Sequence, residues 1–187
     1  MNLSRALVLG SLLVGTALLT ACPNVNLTGG VEVPAKGTTV TQEIYAKFVP
    51  APKVGQKWTY VATFTQPDAE PQTATMTNEV EKIEGDVITT TMTTLSEGQT
   101  SPLTATSTSS VSKPLNLDEG ATMTSEGSED VTVPFKAYTK AAKFKTVKDG
   151  QTLYTVWLVP GVGLVKLSSD SEDGGLYTME LKDFKQP

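Results

Sequence analysis

The chain of 187 residues contains no histidine, one cysteine (Cys22) and one arginine (Arg5). Without histidine or a second cysteine, the sequence supplies neither a Ser-His-Asp or Cys-His nucleophile system nor a zinc site of the usual kind, and Cys22 cannot form an intramolecular disulfide. Arginine is the preferred bidentate ligand for phosphate and carboxylate, so its scarcity removes another common functional group. The composition predicts a protein that is not an enzyme and carries no cofactor or metal.

Positive charge is scarce as well, since 15 basic side chains face 20 acidic ones and the formal net charge is −5. Nucleic acid is therefore not an expected partner, because phosphate backbones are bound by basic surfaces. Two acidic segments, residues 126–130 and 170–174, lack calcium-loop spacing: a loop counted from Asp170 requires glutamate where Leu181 stands. We expect both segments to be solvated hairpin loops.

Threonine is abundant instead, notably in residues 89–94 and 104–108. Its β-branched side chain suits a half-exposed strand. Chains rich in serine and threonine also form disordered or glycosylated stalks, but the interleaved Val, Ile, Met and Leu favour a sheet. No stretch longer than ten residues has convincing helical periodicity, so an all-β fold is predicted.

Turn signals divide this sheet into antiparallel strands. Glu84-Gly85-Asp86 and Asp149-Gly150 are hairpin signals, and the single Val-Pro-Gly-Val-Gly segment, residues 159–163, predicts a type II turn rather than an elastic repeat. The strands predicted around these turns are residues 73–83, 87–95, 101–111 (at an edge), 141–147, 152–158, 164–168 and 176–184. Residues 113–130 are predicted to be a long polar loop. The expected fold is a mainly antiparallel meander, either a curved sheet or half-barrel or a small closed barrel.

The N-terminus is predicted to be a signal peptide. Arg5 precedes an apolar run of about fourteen residues, which is typical of an export signal and too short for a membrane-spanning helix. The run ends in Leu19-Thr20-Ala21-Cys22, which matches the lipobox and resembles the N-terminus of bacterial lipoprotein precursors. The resemblance implies cleavage after Ala21 and a diacylglyceryl group on Cys22, which anchors the chain to the membrane when a second or third acyl chain is present. Pro23, in place of the aspartate that retains lipoproteins at the inner membrane, implies the outer membrane in a host with two membranes.

Three segments follow from this reading. Residues 1–21 are the signal peptide, residues 22–39 are a lipidated flexible tether because they mix Gly, Pro, Asn and Lys without periodicity, and residues 40–187 are a single antiparallel β domain. Residues 40–49 fit a short helix or a strand. The protein is expected to be exported and anchored to the membrane through Cys22.

Two further segments carry a second resemblance. Val54-Gly55 followed by Trp58 and Tyr60, and the run from Trp157 through Pro160-Gly161 to Lys166, are similar to segments of uncharacterised all-β envelope lipoproteins. Related proteins cup a lipid or lipoprotein acyl chain in a curved sheet. That implies a noncatalytic binding module for an apolar ligand or lipid, with these aromatic candidates for its lining: Trp58, Tyr60, Phe64, Trp157 and Tyr177. Two alternatives stay open: the aromatics fill the core, or the protein is a structural component that binds an envelope protein partner.

Overall fold

The computed structural model describes residues 30–171 and 174–187, so the predicted signal peptide, Cys22, residues 22–29 of the predicted tether, and residues 172–173 lie outside the described residues. Within them the elements are α1 Gln42–Ala46, β1 Lys57–Thr65, β2 Gln72–Glu84, β3 Val87–Ser96, β4 Leu103–Ser110, β5 Thr122–Thr132, β6 Ala137–Lys148, β7 Gln151–Val159, β8 Gly163–Asp170 and β9 Leu176–Lys185. All nine strands form one sheet in the order β4-β3-β2-β1-β9-β8-β7-β6-β5. Every neighbouring pair is antiparallel.

The predicted all-β antiparallel fold is confirmed, and the sheet is open rather than closed, with β4 and β5 at its two edges. The strand order places β1 beside β9 in the middle of the sheet, whereas β4 and β5, which follow each other in the chain, are at opposite edges. The connection between them, residues 111–121, must therefore cross the sheet. Together with residues 31–52 it forms the covering layer of the fold.

The predicted tight turns are confirmed. Asp149 and Gly150 have φ values of 52° and 80°, and the flanking Lys148 and Gln151 are paired, as a two-residue hairpin turn requires. Gly161 has the positive φ (78°) that a type II turn needs at its third position, and the Val162 amide donates to the Val159 carbonyl at 3.0 Å. Local sequence was sufficient here because these turns depend on two adjacent residues.

The predicted loop at residues 113–130 is wrong in its second half, which belongs to β5. Met123, Ser125 and Val131 are buried, but the pairing with β6 shifts at Ser125/Gly127 and again at Glu129/Val131. Each shift inserts a residue and changes which side chains face inward, so the sequence loses the alternation that marks a strand. The acidic segment 126–130 therefore lies in a strand and not in a solvated loop.

Residues 30–39 also differ from the flexible tether that was predicted for them. The Gly37 amide donates to the Ser125 carbonyl and the Val40 amide to the Met123 carbonyl, both at 2.8 Å, and Thr39 forms a bridge with Thr124. This segment is held because β5 is an edge strand whose outer backbone groups would otherwise lack partners. Residues 40–49, for which either a short helix or a strand was predicted, contain the short helix α1, which is capped by the Thr41 side chain.

Two apolar clusters form the core. The lid cluster joins the covering layer to β5–β7: Val40, Phe48, Leu115, Met123, Ala142, Phe144, Val156 and Leu158. Phe48 meets Phe144 edge to face, with ring centroids 5.3 Å apart. The central cluster includes Tyr60, Trp157, Val165, Met179 and Leu181. Burying each large apolar side chain stabilises the fold by about 1.5–3 kcal/mol, so the covering layer is an integral part of the fold.

Candidate functional site

The candidate site lies on one face of strands β1–β4, here called the apolar face. Because side chains alternate along a strand, Trp58, Tyr60, Ala62 and Phe64 of β1 share this face. The register continues it onto Met76, which is opposite Tyr60, and then onto β3 and β4. The covering layer lies over only one end of this face, so cavities remain on it.

The first cavity, called the Trp58 crevice, has a volume of about 370 Å³. Its floor is formed by Trp58, Val80, Ile88 and Thr90, and its walls are formed by residues 49–52 and by Val111 and Pro114 of the covering layer. The crevice therefore exists only because two connecting segments, distant in sequence, pass over the end of the apolar face.

Trp58 is fixed in orientation at this floor. Its indole Nε1 donates to the Val162 carbonyl at 2.8 Å, and its ring stacks on Phe184 with centroids 5.5 Å apart and an interplanar angle of 28°. The only polar atom of the side chain is thus satisfied inside the protein. The half-buried ring contributes an apolar, rigid surface to the crevice.

A second cavity, of about 410 Å³, lies at the other end of the apolar face and is called the Tyr177 cavity. It is lined by Ala62, Phe64, Pro71, Ala74 and Tyr177, with Glu97 also on the lining. Burial raises the pKa of Tyr177, whose hydroxyl donates to the Met76 sulfur at 3.5 Å. Glu97 accepts a hydrogen bond from the Thr73 hydroxyl at 2.7 Å, so this cavity carries a charged group that the Trp58 crevice lacks.

Tyr60 lies between the two cavities along β1 and is 3% exposed. Its hydroxyl donates to the Leu164 carbonyl at 3.1 Å. Burial, with smaller contributions from Tyr45 and Tyr138, raises the pKa of Tyr60. Burial also raises the pKa of Tyr45 to about 12. These side chains stay neutral at physiological pH and pack in the interior.

Trp157 lies on the opposite face of the sheet. The register aligns it with Lys166 and then Glu180 and Val61, whose side chain points away from the apolar face. The Nζ atoms of Lys143 and Lys166 are 5.0 and 5.6 Å from its ring centroid, and its Nε1 donates to Glu129 Oε1 at 2.6 Å. Trp157 is therefore a member of the central cluster with charged side chains around its ring, and it lines neither cavity.

Glu129 completes this charged row. Burial by itself raises the pKa of Glu129, but the hydrogen bonds from Lys143 and Trp157 outweigh burial and hold the pKa below its ordinary value. Lys143 Nζ is 3.1 Å from Glu129, and Lys166 Nζ is 2.8 Å from Glu180. The row thus places one lysine–glutamate pair on each side of Trp157, Lys143 with Glu129 and Lys166 with Glu180.

The structure thus distributes the five predicted lining residues. Trp58 lies in one cavity, Phe64 and Tyr177 lie together in the other, Tyr60 is buried between them, and Trp157 is on the other face. The crevice residues that the sequence reading missed fall into two groups. The positions of Val80 and Ile88 on the apolar face could have been predicted from the alternation of their strands. The wall residues of the covering layer could not, because they belong to irregular segments without periodicity.

Within residues 30–171 and 174–187, no three Asp, Glu, Cys or His side chains are grouped so that they could hold a metal ion. No helix in those same residues has the length and apolar character needed to cross a bilayer.

The fold defines a class of protein, an all-β chain built on one open antiparallel sheet with an apolar crevice. No protein-family model matches the chain, and no curated protein matches it in sequence. Among solved structures it is similar to a Bacteroides fragilis protein with a YmcC-like fold, provisionally described as exported, with a TM-score of 0.47, 11% identity and coverage of 75% of this chain and 100% of the other. It is also similar to a provisionally described lipoprotein of Parabacteroides distasonis, with a TM-score of 0.43, 14% identity and coverage of 74% and 98%. Both scores are too low for either protein to inform on activity.

Proposed function

We propose that this chain is an exported lipoprotein of the bacterial cell envelope that binds the acyl chain of a lipid or lipoprotein in the Trp58 crevice, without catalysing a reaction. The anchoring part of the proposal rests on the apolar run that ends in Leu19-Thr20-Ala21-Cys22. Pro23, which stands where inner-membrane lipoproteins have aspartate, extends the proposal to the outer membrane in a host with two membranes.

The Trp58 ring is the observation that carries the binding part. An acyl chain needs an apolar surface with its polar groups already satisfied, and the hydrogen bond to Val162 and the stacking on Phe184 give Trp58 that property. The crevice volume of about 370 Å³ lies within the usual range of ligand pockets. Each methylene buried there stabilises a complex by about 0.8 kcal/mol.

The position of the anchor also supports an acyl ligand. Residues 23–29 are all that separate Cys22 from the first described residue, Gly30. Even when fully extended, such a segment spans roughly 30 Å, so the crevice would stay close to the membrane surface from which an acyl chain could enter.

The absence of catalysis is proposed from the chemistry of the crevice. Its described lining offers hydroxyl groups on Thr90, Ser109 and Ser110, but no carboxylate or amine. General acid-base catalysis needs a titratable group within hydrogen-bond reach of the reacting atom, and this crevice contributes only surface and hydroxyls.

Fluorescence of single-tryptophan variants tests the binding proposal, because the chain has only two tryptophans. Trp157→Phe leaves Trp58 as the sole reporter, and Trp58→Phe leaves Trp157 as a matched reporter on the opposite face. Titration with a monomeric lysophospholipid should shift the Trp58 emission to shorter wavelength with saturation, while the Trp157 emission stays constant. Thr90→Phe, made in the variant that lacks Trp157, puts a bulky ring in the crevice without adding a second tryptophan, and it should weaken or abolish the saturable change.

The binding proposal fails if Trp58 shows no saturable change, or if Trp157 changes in parallel, because parallel changes indicate non-specific adsorption. The anchor is tested separately by the intact mass of the membrane-extracted protein. A mass lacking residues 1–21 and carrying diacylglyceryl and acyl groups is expected, and the unmodified mass would remove the lipoprotein assignment.

A second candidate function is an envelope protein that binds a protein partner. It is favoured by the face of β1–β4 opposite the apolar face, where Thr59, Thr77, Thr93 and Thr104 align directly across the four strands. Such a row of uncharged hydroxyls offers a regular surface to a partner. Photo-cross-linking from position 91 on this face in intact cells should recover one specific neighbour, and a diffuse set of products would count against this function.

A further inference from the structure

The two edge strands of the sheet, β5 and β4, differ in how far their outer sides are covered. The outer side of β5 is covered over part of its length, because residues 37–40 pair with its backbone near Met123 and Ser125. The outer side of β4 has no strand beside it among the residues that the structure describes. Seven of the eight β4 residues are exposed, so β4 presents a row of backbone donors and acceptors to its surroundings.

Strand β4 also lacks the features that usually protect an edge. Its sequence, Leu-Thr-Ala-Thr-Ser-Thr-Ser-Ser, contains no charged residue and no proline. Its pairing with β3 runs from Thr94↔Leu103 to Val87↔Ser110 without a register shift, so no bulge turns it away. An edge of this kind is a template for the addition of another strand.

Charge identifies which strand fits best. The chain has a formal net charge of −5, so two copies repel each other overall, whereas two β4 strands meet without any like charge. The acidic groups near the two ends of β4 are already engaged within their own chain. Glu97 accepts a hydrogen bond from the Thr73 hydroxyl of β2, and Asp86 accepts from the Ser110 hydroxyl and the Ser112 amide.

The side chains of β4 are complementary to themselves as well. If Thr106 faces Thr106 of the second copy across a two-fold axis, Thr104 faces Thr108, and threonine pairs of this kind stabilise neighbouring strands. On the other side of the strand, Leu103 and Ala105 would continue the apolar face from one copy into the next. We propose that two copies of this chain pair antiparallel through β4 and form one continuous sheet. The pairing does not depend on a ligand in either cavity.

Disulfide trapping in the full-length protein tests the pairing. Thr106→Cys places a thiol at the two-fold axis, and Thr91→Cys is the matched control, because Thr91 is paired with Thr106 one strand further from the edge. Mild oxidation in intact cells should convert most of the Thr106→Cys protein into a covalent dimer. Wild type, which has only Cys22, and the Thr91→Cys variant should remain monomeric on a non-reducing gel.

A second variant keeps the test independent of thiol chemistry. Thr106→Lys places two positive charges opposite each other at the axis, and it should raise the dimer dissociation constant of detergent-extracted protein by about tenfold or more in sedimentation. Absence of a covalent dimer from cysteines at positions 104, 106 and 108, equal cross-linking of Thr91→Cys, or a mixed disulfide with a different protein would each overturn the proposal. A monomeric wild type in sedimentation at micromolar concentration would do the same.

Discussion

The two halves of the sheet share one backbone pattern but differ in burial. In β6–β8, here called the covered half, Ala142, Phe144, Leu158 and Val165 have no exposed surface. In β2–β4, the threonine wing, only Val80 is buried. Both halves alternate apolar and polar residues in antiparallel pairs, so alternation alone does not produce a core. A core forms where a second layer packs on the sheet, and only the covered half has the covering layer packed tightly on it.

This difference has a consequence for local stability. The threonine wing is held by backbone pairing and by half-buried side chains such as Met76 and Met92, whereas the covered half adds the lid cluster. Regions with little buried apolar surface open first in native-state exchange. The Trp58 crevice lies at the boundary between the threonine wing and the covering layer, since its floor comes from β1–β3 and its walls come from the covering layer.

The largest effect is expected from truncation in the lid cluster. Phe144→Ala removes a fully buried ring that packs against Phe48 and should lower the free energy of unfolding by about 3–5 kcal/mol. Met92→Ala, the matched truncation in the threonine wing, should cost about 1 kcal/mol because the side chain is only half-buried. Urea denaturation measures both values, and equal costs would contradict the contrast between the halves.

The next effect concerns the docked segment 30–39. The Ser125 hydroxyl donates to the Pro34 carbonyl and accepts from the Gly127 amide, at 2.8 and 3.1 Å, and the side chain is fully buried. Ser125→Ala leaves both groups without this partner and should cost about 1–3 kcal/mol. Ser107→Ala on exposed β4 should stay within about 0.5 kcal/mol, and a neutral Ser125→Ala would show that segment 30–39 is not held in this way.

Acid should affect the charged row more than the wing. The pKa of Glu129 is held below its ordinary value of 4.5, so its contribution to stability is complete above that pH and is lost as the pH falls through the lowered folded-state pKa. Hydrogen bonds from Ser110 and Ser112 lower the pKa of Asp86 as well. Both carboxylates are exposed, but Asp86 accepts from neutral groups, whereas Glu129 is also bound by the charged Lys143 and by the indole of buried Trp157. In the wild type the melting temperature should fall as the pH is lowered from 6 to 3. This fall should be reduced more by Glu129→Gln than by Asp86→Asn, and the reverse order would contradict the assignment to Glu129.

The smallest effect is expected from two tyrosines of the central cluster. The Tyr138 hydroxyl is buried without a hydrogen-bond partner among the described residues, so Tyr138→Phe should leave stability unchanged or slightly raised. Tyr60→Phe removes the bond to the Leu164 carbonyl and should cost about 1 kcal/mol. Thermal melts of the two variants measure both effects. A marked loss of stability in Tyr138→Phe would show that the Tyr138 hydroxyl has a hydrogen-bond partner.

Particular elements show how far sequence reasoning reached. The two hairpins around Gly85 and Gly150 and the turn at Gly161 were predicted because their conformations depend on adjacent residues. Strand β5 was missed because two bulges break its alternation, and the ordered part of the tether was missed because its partner, the β5 edge, lies more than eighty residues further along the chain.

The candidate site shows the same division. Alternation along the chain places Tyr60, Ala62 and Phe64 on one face of a strand, and that is how the structure arranges them in β1. It could not assign Trp157 to the opposite face, because a register shift between β7 and β8 and the order of the strands decide which face its side chain joins.

The sequence by itself determined the all-β class, the tight turns and the alternation of most strands, since each is a preference of neighbouring residues for one backbone conformation. The tertiary structure decided that β1 pairs with β9, which half of the sheet is covered, and where an apolar crevice remains. Those outcomes depend on contacts between residues far apart in the chain, and the free energy of burial that selects them is independent of sequence order.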